Sequence, residues 1–484
     1  MLLLQLIYAA LIAPLMIYAM GVFYLVFVYF RPARRVIVPH YFAEDDLPLV
    51  TVQLPLYNER YVVGRLLDAV VRLDYPRDRL HIQVLDDSTD ETTGIAAGRV
   101  RALRAAGVHI DLLHRTDRAG FKGGALGEAL AHTEGGFVAI FDADFIPPTD
   151  FLRRTIPILL SDSRCGVVQG RWAHLNAEEN ILTRCQALML DGHFAIEQHA
   201  RSKGGLLFSF NGTGGVWRRA AIEDAGGWQG DTLTEDADLS LRAQMRGWQF
   251  VFLPDLATAG EVSPVMSGFK GQQARWAKGT TQTLFKLGRA LLRSPLTARQ
   301  KIMAILGVLA YPIQPLGLAL LLIMPLLMVS GALRDMPVAP LGVAGLAVPL
   351  LYILGQKALY GASWAWLRGA ARLPLLLILS SGMALNNTVA VLSAFRGGVG
   401  VFQRTPKFGD APSGKGYTIR PDLTTIGEFF LGVYSVCGAV LAWRYAPGLI
   451  VYFATYAVGF FMVSGWTLAD LWSARRHMFG KLTS

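Results

Sequence analysis

The chain has 484 residues, of which 52% are hydrophobic and only 17% are charged, with a formal net charge of +10. This composition excludes an ordinary soluble enzyme and indicates a chain with both soluble and membrane-embedded parts. The basic residues cluster beside apolar blocks, as in RPARR and SARRHMFGK, so we expect a membrane surface as a partner and no nucleic acid. The three cysteines are widely spaced and predict neither a disulfide framework nor a zinc site.

The first predicted element is a membrane helix within residues 1–35. Residues 2–30 form one apolar run without a charge, which is long enough to span a bilayer and lacks the charged start and cleavage site of a signal peptide. The basic segment RPARR that ends the run predicts that the following residues lie in the cytoplasm.

Residues 36–283 are predicted to form a cytosolic α/β domain. The stretches LVTVQLPLYN, HIQVLDDS, GFVAIFDADF and CGVVQGRW have the pattern of buried strands, and segments with helical periodicity lie between them. Such alternation predicts a parallel sheet with helices on both faces, which binds ligands at the carboxyl ends of its strands. The polar residues that fall at these ends are Asn58, Asp86, Asp87, Asp142 and Asp144.

The remaining chain is predicted to be a membrane region, residues 301–484, preceded by an interfacial helix over 284–300. Spans are expected at about 302–329, 338–360, 426–445 and 447–470. We expect 373–395, which carries two adjacent asparagines, to be interfacial or re-entrant, because the basic loop 396–420 and the C-terminus then both face the cytoplasm. The polar residues of this region either face a channel or form hydrogen bonds between helices. They are Gln314, Gln356, Asn386 and Asn387.

Two acidic motifs follow predicted strands. In FDADF, Asp142 and Asp144 flank one residue, so both side chains point the same way and either hold a hard divalent cation or are solvated loop acids. In VLDDSTDET, Asp86 or Asp87 can accept hydrogen bonds from a base or ribose, while the segment can also cap the next helix.

Three further segments are candidates for contacts with a substrate. GFKGGALGEAL opens a helix with glycines and Lys122, which suits a phosphate group but lacks the spacing of a Walker loop. In DTLTEDADLSLRA, Asp236 is either a general base or part of an acidic first turn capped by Thr234. The loop FNGTGG lies between the predicted strand LLFSF and a helix. It is either a turn that needs positive φ or a loop whose backbone contacts an acceptor substrate.

The segment GFKGQQARWAKG precedes the membrane region. The positive-inside rule and interfacial placement of tryptophan account for Arg275, Trp276 and Lys278, but not for Gln272 and Gln273.

The order of these motifs resembles that of the family 2 inverting glycosyltransferases, and within them the membrane-embedded polysaccharide synthases. Over about residues 48–290 the chain is most similar to the plant cellulose-synthase-like A group, the mannan and glucomannan synthases, and to their bacterial relatives. The segments that carry this resemblance are YPRDRLHIQVLDDSTDET, FVAIFDADFIPPTDFLRRTIP, DGHFAIEQHARS and FNGTGGVWRRAAIEDAGGW. It implies an α/β GT-A (Rossmann-like) cytosolic domain joined to an α-helical transmembrane region with interfacial helices.

The resemblance also implies roles for individual residues. Asp236, next to Glu235, would be the catalytic base. Asp142 and Asp144 would hold Mg²⁺ or Mn²⁺. The donor nucleotide sugar would be bound by Asp86, Asp87, Lys122, Asp142, Gln272 and Arg275. The acceptor would be bound by Phe210, Asn211, Gly212, Thr213 and Trp276.

The sequence therefore predicts a multi-pass protein of the inner or plasma membrane with a cytoplasmic catalytic domain. We expect an inverting, processive β-glycosyltransferase that uses GDP-mannose or UDP-glucose, extends a glycan acceptor into a β-1,4-type polysaccharide and secretes it through its own helices. The alternative is a non-processive enzyme that glycosylates a lipid, as ceramide glucosyltransferases do. A transporter or receptor would leave the acidic motifs unexplained.

Overall fold

The structure is a computed structural model that describes residues 1–33, 42–336, 339–398, 400, 407, 409 and 423–482. Its α/β part contains a seven-stranded sheet with the order β3-β2-β1-β4-β6-β5-β7. The strands are β1 (Val50–Leu56), β2 (Leu80–Asp86), β3 (Ile110–His114), β4 (Phe137–Ile140), β5 (Cys165–His174), β6 (Gly215–Arg218) and β7 (Gln249–Gly260). The sheet was predicted to be parallel, but β6 runs antiparallel to both of its neighbours, so the sheet is mixed.

Helices cover both faces of this sheet, as predicted. In β4, Phe137 and Ala139 belong to one apolar cluster and Val138 and Ile140 to another, because alternate side chains of a strand point to opposite faces. The helices packed on the first face are α2 (Val63–Val71), α3 (Thr92–Ala105) and α5 (Phe151–Ser161). Those on the second face are α4 (Phe121–Ala131), α8 (Arg219–Asp224) and α9 (Glu235–Met245).

The four strands predicted from buried apolar runs are confirmed as β1, β2, β4 and β5. The predicted strand LLFSF is wrong, since residues 206–210 belong to no strand. Its backbone is satisfied by side chains instead: the N–H of Phe208 donates to Gln244 and the N–H of Phe210 donates to Ser240. An extended, buried segment therefore looks like a strand in sequence without joining the sheet.

The helical part begins with α1 (Leu2–Tyr29) and continues after the sheet. Its further helices are α6 (Ile181–Gly192), α7 (His199–Lys203), α10 (Met266–Arg293), α11 (Ala298–Val308), α12 (Gln314–Val329), α13 (Ala339–Tyr360), α14 (Ala365–Ala370), α15 (Leu373–Gly382), α16 (Ala384–Ala394), α17 (Thr424–Tyr445) and α18 (Ile450–Leu482). A π-helical segment, His193–Gln198, joins α6 to α7.

Within the described residues, four helical segments are long and apolar enough to cross a membrane: Leu2–Tyr29, Gly342–Tyr360, Thr424–Tyr445 and Pro447–Trp472. The span predicted at 302–329 is instead divided between α11 and α12, because Pro312 lies in the break between them and proline disfavours a continuous helix. The block predicted to be interfacial or re-entrant is a pair of helical segments bent by 44°, which would be a fifth span if counted as one.

The helix predicted over 284–300 is not a separate element. Its first part is the end of α10, which runs unbroken from Met266 through GFKGQQARWAKG to Arg293. Pro295 then prevents continuation, and Thr297 begins α11 with a capping box. The start of α10 is held by α18, where the Asp470 carboxylate accepts a hydrogen bond from the N–H of Ser267.

The polar residues of the helical region bond to other helices. Asn387 donates to Gln314 at 2.8 Å, and Asn386 donates to the carbonyl of Lys270 at 3.1 Å. Gln356 donates to Asp191 at 2.8 Å. These contacts favour the interpretation of hydrogen bonding between helices. Most of the basic loop predicted at 396–420 lies outside the described residues.

A buried ion pair joins α10 to α17. Lys270 and Glu428 are 2% and 0% exposed, and the Lys270 ammonium lies 2.8 Å from a Glu428 carboxylate oxygen. Thr424 and Thr425 also accept hydrogen bonds from Lys270.

We expect Lys270→Met to destabilise the protein by about 3–5 kcal/mol, because it removes the Lys270 ammonium that pairs with the buried Glu428 carboxylate. The double variant Lys270→Met/Glu428→Leu should recover most of this loss. Unfolding of the full chain in detergent would measure both. A double variant as unstable as the single one would contradict the assignment of the loss to an uncompensated charge.

Candidate active site

A cleft of about 190 Å³ opens at the carboxyl ends of β1, β2 and β4 and is closed on its other side by α10. The structure brings eleven of the fourteen predicted site residues to its lining. They are Asp87, Lys122, Asp142, Asp144, Asn211, Gly212, Glu235, Asp236, Gln272, Arg275 and Trp276.

The two aspartates of FDADF follow β4 and both face cations. Asp142 is paired with Lys122, and its backbone N–H donates to the hydroxyl of Thr213. Asp144 is nearly buried; its carboxylate accepts from the N–H of Glu261 at 3.0 Å and pairs with Lys407 at 2.6 Å. The Lys407 ammonium thus supplies the positive charge that the buried Asp144 carboxylate requires. Two carboxylates at one strand end also fit the oxygen ligands of a hard divalent cation.

Lys122 connects Asp142 to the FNGTGG loop. Its ammonium donates to the carbonyl of Gly212 at 2.8 Å as well as to Asp142. Burial alone would lower the pKa of Lys122, but the charges of Asp142 and Glu235 raise it above its ordinary value, so the side chain stays a cation. Gly212 has φ +79°, and a Cβ there would lie 3.1 Å from Asp236 and 3.2 Å from the Lys122 ammonium. Glycine at this position therefore allows Asp236 and Lys122 to approach the same loop.

Glu235 and Asp236 open α9 and share the floor of the cleft. Burial, followed by the charge of Asp236, raises the pKa of Glu235 to about 7, against the opposing effect of Lys122. Burial also raises the pKa of Asp236, again opposed by Lys122. One Asp236 oxygen accepts from the N–H of Ala237 at 2.8 Å, which fixes the carboxylate at the start of the helix. Thr234 is the N-cap residue of α9, as predicted, and the acids lie in the first turn, but its hydroxyl contacts Thr283 and makes no capping hydrogen bond.

The two adjacent glutamines of α10 face different environments. Gln272 lines the cleft together with Arg275 and Trp276, one helical turn further along. Gln273 is buried, and its carbonyl oxygen accepts a hydrogen bond from the hydroxyl of Tyr311 at 2.9 Å. Burial lowers the pKa of Arg275, and the charge of Glu235 opposes this effect.

Three predicted site residues lie outside the cleft. Asp86 is fully buried, and its carboxylate accepts from the N–H of Ser88 and the hydroxyl of Thr93 and contacts His114. Phe210 is fully buried in the apolar core against Trp217. Thr213 is also buried, and its hydroxyl accepts a hydrogen bond from the backbone N–H of Asp142. Their environments favour structural roles, because no surface of theirs reaches the cleft.

Several residues of the site belong to no sequence motif by which they could have been predicted. Tyr57, Arg118, His174 and Lys407 line the cleft without having been predicted. Behind it, the FNGTGG loop is held by the side chains of two buried glutamines. Gln169 donates to the carbonyls of Thr213 and Gly214. Gln198, the last residue of the π-helix, donates to the side chain of Asn211 at 2.7 Å.

A second group that could hold a metal ion is formed by His81, His109 and Asp111. It lies near the amino ends of β2 and β3, at the opposite end of these strands from Asp87. Asp111 is already paired with Arg104 at 2.7 Å, and this cation disfavours a metal ion beside it.

We expect kcat/KM for the reaction in this cleft to fall as the pH is lowered through about 7, because Glu235 then takes up a proton and the negative charge of the Glu235–Asp236 pair decreases. Glu235→Gln removes the group whose pKa is raised to about 7, so the acid limb should move to lower pH. The exposed variant Glu223→Gln should leave the profile unchanged. An acid limb that stays in place in Glu235→Gln would argue against the coupling.

The comparisons with known proteins agree with this geometry. Residues 48–279 match the family described as "Glycosyltransferase like family 2". Glucomannan 4-beta-mannosyltransferase 1 of Oryza sativa subsp. japonica is 44% identical over 252 residues, which are 51% of this chain and 48% of that protein. Glucomannan 4-beta-mannosyltransferase 2 of Arabidopsis thaliana is 43% identical over 256 residues, 52% of this chain and 48% of that protein. The match thus spans about half the length of these curated relatives.

A solved structure confirms the predicted fold. The mannosyltransferase PcManGT from Pyrobaculum calidifontis, in complex with GDP-Man and Mn²⁺, superposes with a TM-score of 0.54 at 24% identity. The superposition covers 80% of this chain and 99% of that chain, and the seven-stranded sheet therefore belongs to a GT-A fold. The chain therefore contains, over residues 48–279, a segment that matches the glycosyltransferase family 2 model, and its sheet has the GT-A fold.

Proposed function

We propose that the protein is an inverting β-mannosyltransferase that transfers mannose from GDP-mannose to the end of a growing β-1,4-linked glycan at the membrane. The observation that carries this proposal is the single cleft that places Lys122, Asp142, Asp236 and Trp276 together. The 44% identity to a glucomannan 4-beta-mannosyltransferase supports mannose over glucose as the transferred sugar.

The cleft supplies the groups that this reaction requires. Asp236 takes the proton of the acceptor hydroxyl as that oxygen attacks the anomeric carbon, and a single base is sufficient for inversion. Lys122 and Arg275 place positive charge where the leaving nucleoside diphosphate becomes more negative. Asp142 and Asp144 would hold the divalent cation, which neutralises diphosphate charge when bound. The indole of Trp276 offers an apolar face on which the acceptor sugar can stack.

The sugar, the linkage and the length of the product are tested together by assays on membranes. Membranes with the full chain would be incubated separately with labelled GDP-mannose and UDP-glucose, and the product sized and digested with a β-1,4-mannanase. We expect a mannanase-sensitive polymer from GDP-mannose, and none from membranes with Asp236→Asn. A short product that extracts into organic solvent would overturn the polymer and support the lipid glycosyltransferase.

Trp276→Ala separates extension from first transfer. If Trp276 holds the growing chain, the variant should make shorter products while its donor KM changes little. Leu292→Ala, an exposed position further along α10, is the matched control. Export of the product through the protein's own helices stays a prediction, since the polar residues expected to line a channel bond to other helices.

A further inference from the structure

One wall of the cleft carries a histidine to which the proposed reaction gives no role. His174 is the last residue of β5, and Trp172 lies two positions earlier, so their side chains point to the same side of the strand. Both residues line the cleft. The indole N–H of Trp172 donates to the carbonyl of Thr213 at 3.4 Å, so this wall adjoins the FNGTGG loop.

The wall lies on the far side of β4 from the residues expected to bind the nucleotide. In the sheet, β1 and β2 lie on one side of β4, whereas β6 and β5 lie on the other. Strands β4 and β5 both run antiparallel to β6, so His174 lies at the same edge of the sheet as Asp142. Adjacent strands are about 4.8 Å apart, which separates the ends of β4 and β5 by roughly 10 Å. A nucleotide between Asp87 and Asp142 would leave the β5 side of the cleft to a sugar.

The imidazole of His174 is held by a buried carboxylate of α6. Its Nε2 lies 3.1 Å from one oxygen of Asp191, and the two side chains are 6% and 4% exposed. The other Asp191 oxygen accepts from the side chain of Gln356 at 2.8 Å and from the hydroxyl of Tyr360 at 3.3 Å. A carboxylate only accepts hydrogen bonds, so His174 carries a hydrogen on Nε2. Its Nδ1 has no hydrogen-bond partner among the described residues and is the ring nitrogen left for a ligand.

Asp191 is fixed where α6 packs closely on α13. A Cβ on Gly192 would lie 2.5 Å from the Tyr352 ring, and a Cβ on Gly355 would lie 2.7 Å from the Cα of Gly192. Glycines at these positions therefore allow the two helices to approach, and this brings Gln356 to Asp191. Because Asp191 cannot turn away from His174 without losing its bonds to α13, the imidazole is oriented before a ligand arrives.

We propose that His174 binds a hydroxyl of the acceptor sugar through Nδ1, and that Asp191 is the positioning residue that orients its imidazole. A sugar hydroxyl can both donate and accept, so it suits this nitrogen. Trp172 and Leu190 supply apolar surface beside it in the cleft. The attacking hydroxyl is still deprotonated by Asp236, and His174 holds the acceptor by another hydroxyl. The inference rests on the proposed function in that the cleft receives a glycan acceptor.

Steady-state kinetics of the full chain in lipid nanodiscs, with Mn²⁺, GDP-mannose and mannotetraose, test this contact. We expect His174→Gln to raise KM for mannotetraose by about 3- to 10-fold, the value of one hydrogen bond, while kcat and KM for GDP-mannose change less than about twofold. The glutamine amide lies near the position of Nε2 and can still donate to Asp191, so Tm should be unchanged. His132→Gln is the control, because His132 is exposed and only its backbone carbonyl accepts a hydrogen bond, from Gln83.

Asp191→Asn tests the positioning role. The asparagine N–H₂ group would face donors that now meet a carboxylate, so His174 must turn or move its hydrogen to Nδ1. We expect KM for mannotetraose to rise at least as much as in His174→Gln. In the double variant the two effects should not add, because Asp191 acts on the acceptor through His174.

Four results would overturn this inference. An unchanged KM for mannotetraose in His174→Gln, with a wild type that extends the oligosaccharide, would refute the contact and leave the proposed function intact. A rise in KM for GDP-mannose alone would place His174 at the donor. Additive effects in the double variant would refute the positioning role of Asp191. A wild type that extends neither mannotetraose with GDP-mannose nor cellotetraose with UDP-glucose would refute both the inference and the proposed function.

Discussion

Asp236→Asn should lower kcat for glycosyl transfer by about 10²- to 10⁴-fold, the range expected for loss of a general base. The amide keeps an oxygen that can accept from the N–H of Ala237, as the carboxylate does now, so the start of α9 should be unchanged. Because the change removes the base and not a phosphate contact, we expect the Kd for GDP to change less than about threefold. Initial rates and nucleotide binding would be measured on the same preparation.

Asp231→Asn is the control for Asp236, because Asp231 lies in the same loop, is exposed and pairs with Lys286. It should keep wild-type rates. A loss of GDP affinity in Asp236→Asn as large as its loss of rate would assign Asp236 to donor binding instead of to proton transfer.

Asp144→Asn should abolish the dependence of donor binding on Mn²⁺ and lower the transfer rate by about 10²-fold or more, since charge stabilisation at the leaving group is lost. The asparagine oxygen can still accept from the N–H of Glu261, so the strand end should keep its structure. Titration with Mn²⁺, followed by electron paramagnetic resonance, would measure binding of the ion directly. Asp150→Asn, at the exposed start of α5, should bind Mn²⁺ as the wild type does. Unchanged Mn²⁺ affinity in Asp144→Asn would exclude this carboxylate as a ligand.

Much of the fold followed from periodicity, and the departures have physical causes. The buried strands β1, β2, β4 and β5 have apolar runs that no surface helix would have. β6 has only four residues and runs against its neighbours, and nothing in GVWR specifies the direction of a strand. The segment 206–210 is as apolar as a strand, but the N–H groups of Phe208 and Phe210 donate to Gln244 and Ser240, which are far along the chain.

Prediction of the site was limited in the same way. Asp86 and Asp87 are adjacent and chemically identical, so only the structure shows that the first is buried by Thr93 and His114 while the second lines the cleft. Arg118 belongs to the site because it stacks on Tyr57, which is 61 positions earlier in the sequence. Motifs identify residues close in sequence, whereas this contact depends on which strands are neighbours in the sheet.

The unbroken helix α10 connects the cleft to the apolar helices α17 and α18. At 1.5 Å per residue its 28 residues form a rod of about 42 Å, whose first turns are held by Asp470 of α18 and Glu428 of α17. Helices that span a bilayer change their tilt to match its hydrophobic thickness. Helices α17 and α18 contact α10, which carries Gln272, Arg275 and Trp276. A change in their tilt with lipid thickness should therefore shift these side chains in the cleft. Rates measured in detergent and in bilayers of different acyl-chain length are therefore separate quantities and should be compared only at matched thickness.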